Sequence, residues 1–255
     1  LLQGTRRNLF YFKKGLKIVA QIVNKSNHLR KEILLEYLKM IICSIAAIFC
    51  VVLAFYTYGF SLIATLILCI YVKKMKTNID IIKSGLKGEK EVLNLLSDLP
   101  KRYKVISDIL IQGKNTSSQL DYVIVGSNGI FIVEAKNIKG TISGNGNSKY
   151  LTQVKIGKGG KEYRRELYNP TLQVKGHVLG LTKLLKRNNM QYDVHGLVYF
   201  SNEESRIQFK SNNIVVLSKN KDDLLKYIKT YKNNGVKIAP NEQIKITKLL
   251  KSQVM

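Results

Sequence analysis

Four residues between positions 119 and 136 carry the chemistry this sequence offers: Gln119 and Asp121 in "QLDYVIV", and Glu134 and Lys136 in "IFIVEAK". The apolar alternation around them, with Ser127, Asn128 and Gly129 as turn residues, predicts a β-hairpin over 119–126 and 130–138. With Ser127-Asn128 as a two-residue turn, Asp121 lies opposite Glu134 and Gln119 opposite Lys136. With Asn128-Gly129 as the turn, Asp121 faces Lys136. In both registers the period of two puts all four side chains on one face. Two carboxylates side by side on a sheet repel. A hard divalent cation such as Mg²⁺ offsets that, because it takes oxygen ligands, keeps several waters and commonly binds a phosphate oxygen. Lys136 beside it suits a metal-held water or a charge developing on a phosphate. The plainer reading is an Asp121–Lys136 ion pair at the open end of a hairpin, with Glu134 solvated.

The surrounding elements must hold those groups. Ahead of the hairpin, Val92, Leu93, Leu95, Leu96 and Leu99 form a helical stripe closed by Pro100, with Glu89 at its start, and 103–111 alternates towards a strand. After it, 150–167 reads as a second, polar hairpin turning at Gly157–Gly160. Asn169 as N-cap and Pro170 at the first helical position open a helix whose buried side is Leu172, Leu179, Leu181, Leu184 and Leu185. "VHGLVYF" and "NIVVLS" are apolar runs of the kind buried in a central sheet, and "KDDLLKYIKTY" and "NEQIKITKLLK" read as closing helices. The order of elements gives an α/β domain with a mixed sheet and helices on its faces.

The chain carries 42 Lys+Arg against 17 Asp+Glu, a net charge of +25, which points to polyanionic partners: nucleic acid or an anionic membrane surface. Residues 41–72 hold no charge at all and are too long and apolar for the core helix of a small domain, so they are expected to enter a membrane. As one helix this run would reach about 48 Å at about 1.5 Å per residue, beyond a hydrocarbon core of about 30 Å. Two spans turning near Gly59, with Tyr56, Tyr58 and Phe60 in the headgroup layer, fit better than one strongly tilted span. Arg30, Lys31 and Lys39 before the run and Lys73, Lys74 and Lys76 after it put both ends in the cytoplasm. A signal peptide is not expected, since the run starts some way in and lacks a small-residue cleavage site. Cys43, Cys50 and Cys69 all fall inside the run, where a thiol is a small apolar group, which argues against disulfides and zinc. The expected organisation is a basic segment 1–39, a membrane segment 40–72, a basic linker 73–83, a catalytic-type domain 84–201 and a completing part 202–255.

Lys155, Lys158, Lys161, Arg164 and Arg165 could form a phosphate-contacting rim on the polar hairpin, with Tyr163 for stacking; a solvated hairpin is the alternative. The string is no Walker loop, because it lacks the Gly-Lys-Ser/Thr ending and the apolar helix after it. His177 shares the helix face of Gln173. His28 and His195 have no partners at metal-ligand spacing and read as structural or exposed.

Three separated motifs, "GLKGEKE" (85–91), "QLDYVIVGSNGIFIVEAKNIKGTISG" (119–144) and "NPTLQ" (169–173), resemble in order and spacing the nuclease-related domain (NERD) family of the PD-(D/E)XK nuclease superfamily over about 84–201. The resemblance implies a restriction-endonuclease-like fold, a mixed central sheet flanked by helices, here preceded by a transmembrane helical hairpin. It also implies Asp121 and Glu134 as metal ligands, Lys136 as catalytic lysine, Glu89 as the acid of the preceding helix and further ligand, and Gln173 as the polar residue of the later helix. Leu120, not Pro, precedes the Asp. The function implied is a membrane-anchored nuclease with its domain in the cytoplasm, cutting nucleic acid, DNA before RNA, with Mg²⁺ or else Mn²⁺. The alternative is a protein of the same fold that binds nucleic acid or anionic lipid headgroups without cutting.

Overall fold

The computed structural model describes residues 20–23, 28–113, 117–157, 159–218, 220–233 and 237–254. The basic residues Arg6, Arg7, Lys13, Lys14, Lys17 and Lys25, and Lys158 of the polar hairpin, lie outside them.

Apolar residues run almost without a break through α1 (His28–Leu53). Among the described residues it is the one helix long and apolar enough to cross a membrane, with mean hydropathy 2.1 over its most apolar stretch. The chain turns at 54–60, where Tyr58 and Gly59 take positive φ (49° and 85°), as the turn near Gly59 requires. It returns as α2 (Ser61–Leu96) beside α1. Ser61 Oγ donates to the Cys50 carbonyl at 2.7 Å, and far from the turn Lys83 Nζ donates to the Tyr37 hydroxyl at 2.7 Å. Residues 73–83 lie within α2, which runs unbroken into the domain. No proline or glycine interrupts that stretch.

The domain is built on a six-stranded mixed sheet in the order β1-β2-β3-β4-β8-β10. Its strands are β1 (Gln21–Ile22), β2 (Lys104–Gln112), β3 (Ser117–Gly126), β4 (Gly129–Lys136), β8 (Val194–Phe200) and β10 (Val215–Ser218). Strands β2, β3 and β4 are antiparallel, and β4, β8 and β10 run parallel. A second sheet of order β7-β6-β5-β9, which the sequence pattern does not separate from the first, comprises β5 (Gly140–Ser143), β6 (Tyr150–Ile156), β7 (Glu162–Tyr168) and β9 (Ser205–Gln208).

Each face of the main sheet has its own core. On one, Val92, Leu95 and Leu96 of α2 and Leu224 and Ile228 of α4 (Lys221–Thr230) cover Tyr122, Ile124, Phe131 and Val133. On the other, Leu181 and Leu185 of α3 (Pro170–Arg187) and Ile246 and Leu250 of α5 (Pro240–Lys251) cover Val123, Val125, Ile130 and Ile132. Each fully buried Leu or Ile there stabilises the fold by about 1.5–3 kcal/mol. Leu179, expected on the buried side of α3, is 55% exposed, and His177 takes the inward position instead. The i, i+3/i+4 row Val174, Val178, Leu181, Leu185 faces the sheet, and Leu179 falls outside it.

Candidate active site

The β3–β4 hairpin adopts the register with Ser127-Asn128 as its turn, pairing Gly126 with Gly129 and Tyr122 with Val133. The ladder stops there. One step further, where Asp121 would pair with Glu134, the Asp121 carboxylate itself accepts the Ala135 backbone N–H at 2.9 Å. The same level carries a break in β2. Ser107 pairs with Tyr122 and Ile109 with Leu120, while Asp108 between them is buried with φ of 53°. That left-handed residue shifts the alternation by one. Ile106 and Ile109 share a cluster, as do Leu120 and Val123, although strict alternation would separate each pair. The sheet thus opens at Asp121, and the gap between β3 and β4 is where the acid sits.

Glu134, on β4, is 2% exposed. Its Oε1 accepts from Lys136 Nζ at 2.7 Å, and Lys136 donates also to Gln173 Oε1 at 3.1 Å. Gln173 is set by the start of α3, where Asn169, fully buried, caps the helix by accepting from the Thr171 N–H at 3.0 Å. The Asn169 side-chain amide also donates to the Gly146 and Ser148 carbonyls, both at 2.8 Å. Glu89 is brought in by α2 from the opposite face. The Tyr122 hydroxyl donates to the Glu89 carbonyl at 2.7 Å, pinning the helix to β3. Glu89, Asp121, Glu134, Lys136 and Gln173 thus line one open cavity of about 260 Å³, so all five residues implied by the family motifs meet. Gln119 lines it too and donates to Asp108 Oδ1 at 3.4 Å.

The electrostatics of the group are those of an acid cluster short of positive charge. Burial, then the neighbouring Glu134, hold the Asp121 carboxyl well above its ordinary range, with Lys136 and the Ala135 N–H only partly opposing them. For Glu134, burial pushes the same way but His177 and Lys136 outweigh it, so its pKa falls and it is the ionised member of the pair. Lys136 loses by burial and gains more from Glu134 and Asp121; its pKa rises, and it remains an ammonium. Glu134 Oε2 is sealed from solvent with no hydrogen-bond partner among the described residues; His177 Nε2 stands 3.5 Å away, too long for a good bond. Both nitrogens of His177, 6% exposed, are likewise without hydrogen bonds among the described residues.

Buried oxygens are normally satisfied, so an orphaned carboxylate oxygen beside an acid that resists ionisation is an arrangement a hard cation fits. No three His, Cys, Asp or Glu side chains among the described residues are grouped at metal-ligand spacing. What the chain offers is a seat of two carboxylates, with Glu89 on the cavity wall, and hard cations such as Mg²⁺ take the remainder of their shell from water.

The basic hairpin residues do not join the cavity lining. Arg164 and Arg165, neighbours on β7, project to opposite faces; Arg164 pairs with Glu162 at 2.5 Å, and Arg165 donates to Gln153. Lys161 lies 6.0 Å from the Tyr163 ring centre. His195 is structural, its ring 4.1 Å from that of Tyr231 and 5.7 Å from that of Phe131. Two features escaped sequence reasoning. Asp108 left a signal, an acid interrupting an apolar strand. His28 and Leu29 at the start of α1, which form part of the cavity wall, left none.

Residues 84–201 match the family model of the nuclease-related domain (NERD). An uncharacterized protein of Bacillus anthracis is 30% identical over 105 residues, which are 40% of this chain and 47% of that relative. The chain therefore matches about half the length of this curated relative. No solved structure matches it.

Proposed function

Residues 84–201 carry a nuclease-related domain, and we propose on that premise that the chain is a membrane-anchored, divalent-metal-dependent nuclease with a restriction-endonuclease-like centre. The observation that supports it is the convergence of Glu89, Asp121, Glu134, Lys136 and Gln173 on one open cavity, with a buried Glu134 oxygen left for a ligand. Asp121 and Glu134 would hold Mg²⁺ or Mn²⁺, with Glu89 joining directly or through water. A cation bound there supplies Lewis acidity towards a phosphate oxygen and lowers the pKa of water.

The chain's own residues do the rest. Without metal and against its burial, Glu134 and Asp121 hold the Lys136 pKa above its ordinary value, and as an ammonium it would serve as a cationic donor to the phosphate. Glu134 and Gln173 hold its Nζ in place, which fixes where that charge lies before substrate arrives. Water adds to phosphorus, one P–O bond breaks, and the products are a phosphate monoester and an alcohol.

The anchor follows the same helix. In this reading α1 and the apolar start of α2 form two spans, with the exposed Phe55, Tyr56, Tyr58 and Phe60 at the far headgroup layer. Lys39, Lys73, Lys74 and Lys76 mark the near, cytoplasmic side, where anionic headgroups attract them. The helix from Lys76 to Glu89 is about 20 Å long at about 1.5 Å per residue, which would hold the cavity about one duplex width from the bilayer.

The test is cleavage of linear, circular and single-stranded DNA and of RNA by the full chain in lipid nanodiscs with Mg²⁺, beside Glu134→Gln and Lys136→Ala. The expected result is cutting by the wild type, with DNA the better substrate, and a rate loss of about 10²–10³-fold in each variant with substrate still bound. Binding without cutting by all three would leave a nucleic-acid-binding protein of nuclease fold instead.

A further inference from the structure

The start of α1 lies at the active-site cavity rather than away from it. His28 and Leu29 share its wall with Glu89, Asp121 and Lys136. Packing holds them there. A β-carbon on Gly85 would meet Leu29 Cδ1 at 3.7 Å, ordinary contact distance, and Gly85 lies four residues before Glu89 on the same face of α2. The Lys83–Tyr37 hydrogen bond ties the two helices together further along α1. His28 Nδ1 is sealed from solvent without a partner among the described residues, so Nε2 is the nitrogen left to meet a ligand.

A cavity lined by an imidazole and by carboxylates suits a ligand that complements both. Two successive backbone phosphates do so: one accepts the imidazole Nε2–H, while the neighbouring, scissile one is turned towards a cation seated on the acids. We propose that α1 completes the substrate site, and that His28 binds a phosphate flanking the scissile one in the nucleic-acid strand. The helix that enters the membrane is then also a wall of the catalytic cavity. Glu89 and His28 reach the site from opposite arms of one helical pair, so the anchor and the centre form a single unit. The proposal rests on the nuclease reading above.

The full chain in nanodiscs is assayed on an oligonucleotide and on bis(p-nitrophenyl) phosphate, a diester with no flanking phosphate, beside His28→Ala and His28→Gln. Binding of the same oligonucleotide in chelator is followed by fluorescence anisotropy. For the oligonucleotide, His28→Ala is expected to raise KM and weaken binding about tenfold with kcat little changed, and His28→Gln, which keeps an N–H, to recover part of the loss. On the small diester, which has no flanking phosphate, the loss in His28→Ala should be several-fold smaller than on the oligonucleotide. A structural role for His28 would lower activity on both substrates and would not be rescued by Gln. Cutting by the wild type with unchanged KM and binding in His28→Ala would overturn the contact and leave the nuclease reading standing. No cutting by the wild type, with binding weakened in His28→Ala, would end the nuclease reading and keep the phosphate contact.

Discussion

Replacing Asp121 by Asn should make the metal-free protein more stable and, in the same step, deaf to metal. Directly opposed residues of an antiparallel pair have β-carbons about 5 Å apart. At that separation and an effective dielectric of about 20, two carboxylate charges repel by about 3 kcal/mol once the pH is high enough to ionise Asp121 as well as Glu134. Lys136, 2.7 Å from Glu134 Oε1, cancels part of this, so a net relief of about 1–2 kcal/mol is expected from the substitution. Asn keeps an oxygen for the Ala135 N–H. The pH dependence has a definite sign. Burial and Glu134 raise the folded-state pKa of Asp121, so the folded chain binds a proton the unfolded chain has already released, and stability falls as pH rises through the folded value. The advantage of the Asp121→Asn variant over the wild type should therefore grow from acid towards neutral and alkaline pH. Added Mg²⁺ at about a hundred times Kd should stabilise the wild type by about 2.7 kcal/mol. For a domain of this size that is a shift of about 5–10 °C in Tm. The variant should show almost none. The chain has 14 Tyr and no Trp, so near-ultraviolet circular dichroism of the tyrosines is the natural probe of melting, in chelator and in Mg²⁺ across pH. A variant no more stable than wild type in chelator, or one with the full Mg²⁺ shift, would refute the claim that the two acids await a shared cation.

Three further outcomes follow from neighbouring packing. A β-carbon at Gly88 would stand 2.5 Å from that of Asn137, so Gly88→Ala should cost about 1–3 kcal/mol in thermal unfolding and, by displacing Glu89 on α2, lower kcat/KM by about 10²-fold. Asn169→Ala removes the α3 cap and leaves the Gly146 and Ser148 carbonyls without its amide; a loss of about 2–4 kcal/mol in denaturant unfolding is expected, with Lys136 losing the Gln173 hold. Burial lowers the pKa of His195 below its ordinary 6.5, with Asp193 opposing in part. The unfolded chain then takes up the proton first, so stability should fall as pH drops below about 6.5. His195→Phe, which keeps a ring against Tyr231 and Phe131, should flatten that acid limb in a series of melting curves.

The legible part of the site and the hidden part differ by a single physical rule. Asp121, Glu134 and Lys136 could be placed together because both two-residue-turn registers of the hairpin leave them on one face, and the structure does bring them to one cavity. The same rule applied to β7 sends Arg164 and Arg165 to opposite faces of the strand. Periodicity itself fails where the backbone is forced off it. At Asp108 the left-handed residue inverts the alternation of both β2 and β3 while their pairing register is kept, and only the acid in the apolar run hinted at this. His28 lay beyond any such rule. Its place depends on where α1 and α2 run back together: the turn at 54–60 returns the chain, and the unbroken helix through Lys73–Lys83 carries that alignment down to Glu89. Local spacing states which face a residue shares. It cannot state which distant helix end abuts that face, because that is decided by the length of two helices and the angle between them, quantities to which every residue from 28 to 96 contributes a little and none contributes enough to see.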